Sequence, residues 1–196
     1  MKAAMEPPHA QRRRIKHFDE HGQAHLLTFS CYQRLSLLAN DTWRPWLSEA
    51  VDRATERHNF TLIAFVYMPE HVHLLVHPEL QDYSVADLLY GIKKPFSERI
   101  KRDLEAAHSP WLEQLKARER PGKIVFRFWQ KGPGHDRNLT SRENLFVVAN
   151  YLHNNPVRRG LVPAPDRWKW SSWRFYHLPD LPPENGLPRI RRLPDG

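Results

Sequence analysis

The chain has 196 residues, 40% of them apolar, and carries 30 Lys and Arg against 22 Asp and Glu, a formal net charge of +8. That length holds one domain with a proper core, and the basic excess favours a polyanionic partner, nucleic acid or an anionic membrane surface. No apolar run is long enough to span a bilayer, no secretory leader is visible, and the single Cys31 excludes an internal disulfide and a cysteine-based zinc site and suits a reducing cytoplasm.

Residues 1–16 read as a flexible basic arm, either a tail with no role or, through Arg12, Arg13 and Arg14, a phosphate contact. His25–Tyr32 reads as the first strand. A helix follows over about Asp41–Asn59, with Asp41 or Thr42 as its cap and Trp46, Ala50 and Ala54 at four-residue spacing. Thr61–Tyr67 is β-branched, aromatic and apolar, as a buried strand requires. Met68-Pro69-Glu70 interrupts it, because proline cannot donate to a ladder. His71–His77 then alternates: His71, His73, Leu75 and His77 share one face. Ser84–Leu104 is a second helix, with Ser84 as cap and a stripe of Leu88, Ile92, Phe96 and Ile100. Pro95 should kink it or divide it. Lys93, Lys94 and Arg99 dress its outer faces. Ala106–Gly122 reads as a loop or a short irregular helix, and Ile124–Trp129 as a further strand, followed by the Gly132-Pro133-Gly134 turn. Thr140–Asn154 is a third helix, buried through Leu145, Val148 and Leu152 and stopped by Pro156.

The order β, α, β, β, α, β, α is α+β. Apart from its last helix it is the ferredoxin-like βαββαβ pattern, with an antiparallel sheet, helices on one face, and the extra C-terminal helix carrying Tyr151. The main domain spans residues 17–162. Residues 163–196, rich in Trp, Pro and Arg, pack on it or extend it.

The chemistry concentrates around His71-Val72-His73. Two imidazoles two residues apart on one strand face have Cα atoms roughly 6.5 Å apart, so their ring nitrogens can converge on one ion. His77 lies roughly 13 Å beyond His73 and is read as non-ligating. On the third helix Tyr151 and Asn155 stand one turn apart. Two imidazoles and an amide oxygen suit a divalent Mg²⁺ or Mn²⁺. Such an ion polarises a scissile phosphate, and a tyrosine oxygen is a competent nucleophile toward it. Glu70 either orients a histidine or faces solvent, and the roles of His135 and Asp136 stay open. Trp168, Trp170 and Trp173, mixed with Lys169 and Arg174, either stack bases or pin the tail to the sheet.

Met68-Pro69-Glu70-His71-Val72-His73-Leu74-Leu75 resembles the histidine–apolar–histidine ("HUH") motif of the single-tyrosine transposases. Tyr151-Leu152-His153-Asn154-Asn155-Pro156-Val157-Arg158-Arg159-Gly160 resembles their tyrosine helix. Trp168-Lys169-Trp170-Ser171-Ser172 and Trp129-Gln130-Lys131 resemble segments of the REP-associated branch. The resemblance covers about residues 17–177. It implies a ferredoxin-like fold and a bacterial, nucleoid-associated, cytoplasmic enzyme. Its activity would be that of a metal-dependent endonuclease and strand transferase on single-stranded DNA, next to a hairpin, through a 5′-phosphotyrosine intermediate. By position His71, His73 and Asn155 are then metal ligands and Tyr151 the nucleophile. DNA contacts are expected from Arg12, Arg13, Arg14, Lys93, Lys94, Arg158, Arg159, Lys169 and Arg174. The expected partner is single-stranded DNA with a hairpin, with no membrane role, and the protein would be a monomer or a dimer. The alternatives are a non-catalytic hairpin-binding protein derived from such an enzyme, or a metal phosphohydrolase with no covalent step.

Overall fold

A computed structural model describes residues 22–139 and 142–191. The basic arm, with Arg12, Arg13 and Arg14, lies outside the described residues. Strand β1 (Ala24–Ser30) leads through two short 3₁₀ turns into helix α1 (Trp43–Arg57). Strands β2 (Phe60–Tyr67) and β3 (His71–Pro78) form a hairpin, and helix α2 (Val85–Ala106) follows. A short helix α3 (Trp111–Gln114) precedes the β4–β5 pair (Lys116–Arg120 and Lys123–Phe126). Strand β6 (His135–Leu139), helix α4 (Arg142–Arg158) and the short α5 (Trp173–His177) complete the order.

The main sheet has the order β2-β3-β1-β6 and is antiparallel throughout. This is the ferredoxin-like arrangement that the element order predicts. Its two faces bury different partners. Leu27 and Phe29 of β1, Phe65 and Tyr67 of β2, and Val72, Leu74 and Val76 of β3 pack with α1 and α2. Ala24 and Leu26 of β1, Ala64 and Val66 of β2, and Leu75 of β3 pack with Leu145, Val148, Ala149 and Leu152 of α4. The expectation of helices on one face therefore holds for α1 and α2 alone, and α4 covers the other face. Each fully buried leucine in these layers stabilises the fold by about 1.5–3 kcal/mol relative to exposure. A β-bulge between Leu62 and Ala64 reverses the parity of β2, so that Ile63 and Ala64 both join the α4 face.

Four sequence expectations change. The fourth strand of the sheet is His135–Leu139, not Ile124–Trp129. Lys123–Phe126 pairs instead with Lys116–Arg120, inside the stretch read as a loop or a short irregular helix, of which α3 is the helical part. The segment after β5 meets the sheet end at the bridge of Cys31 with Trp129, where Tyr32 N–H donates to the Phe128 carbonyl at 2.7 Å and Gln130 N–H to the Ser30 carbonyl at 2.8 Å. The cause lies in composition: β6 is an edge strand, exposed along part of its length, so the polar His-Asp-Arg-Asn sequence carries no apolar alternation. Gly134, at φ +91°, brings the chain onto β1, and a Cβ there would sit 2.2 Å from the Thr28 carbonyl oxygen. Helix α4 runs through Pro156 to Arg158. Pro156 forgoes one helical N–H, yet the turn closes by Arg159 N–H to the Asn155 carbonyl at 3.0 Å. In α2, Pro95 likewise sits inside an unbroken helix, capped as expected by Ser84, whose hydroxyl accepts from the Asp87 N–H at 3.1 Å.

The tail runs along the free edge of β2. Tyr67 N–H donates to the Trp170 carbonyl at 2.9 Å and Ser172 N–H to the Phe65 carbonyl at 3.0 Å. The Trp168 indole donates to the Tyr67 carbonyl at 3.1 Å, and the Trp170 indole to Asp41 at 3.2 Å. Arg44 lies over both rings, 5.3 and 5.1 Å from their centroids. Of the two readings of these tryptophans, Trp168 and Trp170 take the structural one.

Candidate active site

Strand β3 presents His71 and His73 on the face that α4 covers, and both are nearly buried (7% and 9% exposed). Their Nε2 atoms are 3.0 Å apart. The short Met68-Pro69-Glu70 link fixes where β3 begins: Met68 N–H donates to the His71 carbonyl, and the Pro69 and Glu70 carbonyls accept from Leu38 and Cys31, each at 2.9 Å. Behind the rings, His71 Nδ1 is 3.1 Å from Glu70 Oε1 and His73 Nδ1 is 2.7 Å from Thr28 Oγ1. Thr28 and His73 are paired across β1 and β3, so the threonine reaches the imidazole by register alone.

This array supports two protonation patterns. In one, the Thr28 hydroxyl donates to His73 Nδ1, His73 Nε2–H donates to His71 Nε2, and His71 Nδ1–H donates to Glu70. Every polar atom of that chain is satisfied. In the other, Thr28 accepts from His73 Nδ1–H, and both Nε2 lone pairs face the same point, which only a cation stabilises. Two donors at ~2.1 Å from an ion and ~90° apart lie about 3.0 Å from one another, so the spacing is that of adjacent ligands on an octahedral ion. Burial pushes the pKa of His71 down, against the opposing pull of Glu70. Burial, with His71 alongside, pushes His73 down to about 3. Both rings are therefore neutral near pH 7, as ligands must be.

Helix α4 supplies the rest. Asn155 is nearly buried, and its Nδ2 has no hydrogen-bond partner among the described residues. A half-turn of the amide would put its oxygen at that position. Tyr151, one turn earlier, is 44% exposed, with the Arg158 guanidinium 4.9 Å from its ring centroid. Arg159 Nη2 donates to Glu70 Oε1 at 2.9 Å and so ties the end of the tyrosine helix to the carboxylate that holds His71. Glu70 thus orients a histidine rather than facing solvent. No group of three or more His, Cys, Asp or Glu side chains among the described residues could hold a metal ion. A cation here would rest on the two imidazoles and the Asn155 amide, with Glu70 behind them. That mixed nitrogen and oxygen set fits a divalent ion.

The other anticipated residues are spread over the surface. Arg158 and Lys169 are exposed, and Lys169 lies over Trp170. Arg174 sits 3.7 Å from Glu184. Lys93 and Lys94 lie on α2, across the sheet from the histidine pair. The Lys93 ammonium donates to the Gly132 and Pro133 carbonyls, both at 3.3 Å, and burial lowers its pKa to about 8. His135 is exposed on β6, whereas Asp136 hydrogen-bonds the buried His25 at 3.0 Å. Thr28 and the buried His153, whose Nε2 is 2.8 Å from Ser172 Oγ, escaped sequence reasoning. Thr28 could have been found from the strand pairing, because it lies directly opposite His73. His153 stood inside the tyrosine motif without a partner to point to.

A split βαββαβ sheet with a histidine pair on an inner strand and a tyrosine-bearing helix against it defines a DNA-transposase type of architecture. The chain belongs to the IS200-like transposase family, whose model matches residues 20–117. That span holds both histidines and ends before Tyr151. A presumed REP-associated tyrosine transposase from Haemophilus influenzae is 26% identical over 136 residues, 69% of this chain and 72% of the relative. Among solved structures, a REP-associated tyrosine transposase bound to a REP hairpin shares the fold with a TM-score of 0.61 at 19% identity, over 97% of each chain. A presumed transposase from Deinococcus radiodurans gives a TM-score of 0.44 at 17% identity, over 74% of this chain and 97% of the other. No helix among the described residues is long and apolar enough to cross a membrane.

Proposed function

We propose that this transposase is a metal-dependent endonuclease and strand transferase that cuts single-stranded DNA beside a hairpin through Tyr151. The observation that carries the reading is the pair of Nε2 atoms 3.0 Å apart, backed by Thr28 and Glu70, on the sheet face that the Tyr151 helix covers. The hairpin is proposed because the solved relative of the same fold is bound to one. A divalent ion such as Mg²⁺ or Mn²⁺, held by His71, His73 and Asn155, would withdraw charge from the scissile phosphate. The Tyr151 oxygen attacks the phosphorus as its proton passes to solvent. The bond to the 3′ oxygen breaks, that oxygen leaves and takes up a proton, and a 5′-phosphotyrosine link remains. Attack by a 3′-hydroxyl on this link reverses the step and joins strands. Arg158, over the tyrosine ring, places positive charge beside the developing phosphodiester.

The test is incubation of the protein with labelled hairpin DNA bearing single-stranded flanks and Mn²⁺, followed by a denaturing gel. A protein–DNA adduct is expected, lost on chelation and lost in Tyr151→Phe while DNA binding persists. Nicking that survives Tyr151→Phe would mean a phosphohydrolase without a covalent step. Binding without any nicking or adduct across a panel of hairpins would mean a binding protein.

A further inference from the structure

On the far side of the sheet from the histidine pair, α2 and the segment from Phe126 to Pro133 enclose an open groove of about 390 Å³. Tyr90 stands at its wall, 61% exposed, with the Lys94 ammonium 5.2 Å from its ring centroid. Phe126 and Trp129 line it as well, together with Lys93 and Arg127, and no carboxylate lines it among the described residues. Lys93 shapes the rim by holding the Gly132 and Pro133 carbonyls. The exposed ring of Tyr90 and the half-buried ring of Phe126 thus present aromatic surface beside these cations. Flat apolar faces and cations in a groove that no carboxylate lines, although Arg127 also faces Glu119 at 3.5 Å outside it, together match a ligand that is both planar and anionic.

We propose that this groove is a second DNA subsite, in which an unpaired nucleotide stacks its base on Tyr90 and sets its phosphate against Lys94 and Arg127. The placement rests on the functional reading above. The turn that forms the rim continues directly into β6, whose His135 pairs with Thr28, and Thr28 pairs with His73. From the catalytic strand to the sheet edge is therefore two strand spacings, about 10 Å. A strand of DNA passing over that edge reaches the groove on the other side. The sheet would then hold the substrate at two points, cutting it on one face and gripping its unpaired continuation on the other.

The experiment uses the full chain and fluorescence anisotropy with a labelled hairpin, carried either blunt or with a 12-nucleotide single-stranded flank, each titrated with wild type, Tyr90→Ala, Tyr90→Trp and Lys94→Gln. Both positions are exposed, so folding is preserved. The expected result is a loss of about 5- to 100-fold in affinity for the flanked hairpin in Tyr90→Ala. A smaller loss is expected in Lys94→Gln, retention in Tyr90→Trp, and little change for the blunt hairpin. If wild type prefers the flanked hairpin but Tyr90→Ala and Lys94→Gln bind it equally well, or lose blunt and flanked DNA alike, the subsite is overturned and the functional reading stands. If wild type binds neither DNA, both fall together.

Discussion

Arg159 Nη2 and Glu70 Oε1 lie 2.9 Å apart, 89 residues distant in sequence, and the same carboxylate oxygen is 3.1 Å from His71 Nδ1. One carboxylate therefore sets both the angle of an imidazole and the resting place of the tyrosine helix. Replacing it separates the two jobs. Glu70→Gln should lower Mn²⁺ affinity by about 10- to 100-fold, measured by calorimetry, because a neutral amide is a poorer partner for a ligating imidazole. Arg159→Ala should leave most of that affinity and slow adduct formation by about 10-fold or more, since it loosens the helix and not the ligands. An Arg159→Ala protein that forms the adduct at the wild-type rate would remove the helix tether from the account.

The Thr28 hydroxyl can serve His73 Nδ1 as donor or as acceptor. As acceptor it fixes the proton on Nδ1 and frees Nε2 toward an ion. Thr28→Val keeps the shape and loses the acceptor. It should bind Mn²⁺ about 10-fold more weakly, while Thr28→Ser retains wild-type affinity. Equal affinities for the valine and serine variants would show that the hydroxyl has no such role.

Acid stability follows from two buried imidazoles. An unfolded histidine takes up its proton near ~6.5. In the folded chain burial holds His73 back to about 3 and His153, with His177 beside it, to about 4. Between those values and 6.5 the unfolded chain binds more protons than the folded one. Stability therefore rises with pH through that window and is lost as pH falls. With chelator present, the melting temperature should drop progressively below pH 6.5. His153→Asn should flatten that slope, whatever it does to the absolute melting temperature. A slope unchanged in the variant would point to other groups.

Much of this was legible in the sequence where burial imposes a period. The stripe of Leu88, Ile92, Phe96 and Ile100 is buried, as are Leu145, Val148 and Leu152, and the β3 alternation places the two histidines together on one face. What failed to show had no such pattern. Strand β6 lies at an edge and needs few apolar residues. Pro156 reads as a stop, yet losing one N–H close to a helix end is tolerated when the next turn closes. The choice of which face α4 would cover depends on packing across the sheet, and no local signal carries it. Glu70 could not be placed because its second partner, Arg159, is distant in the chain.

The Trp168–Ser172 segment that seals the edge of β2 has an effect on timing. Phe65 N–H bonds the Ser172 hydroxyl 107 residues further along. During synthesis β2 leaves the ribosome long before its outer neighbour, and its backbone edge stays open until the C-terminal residues follow. A nascent or truncated chain ending before Trp168 therefore exposes a strand ready to pair with another molecule. The tail thus occupies backbone positions that would otherwise be free to pair with a second chain.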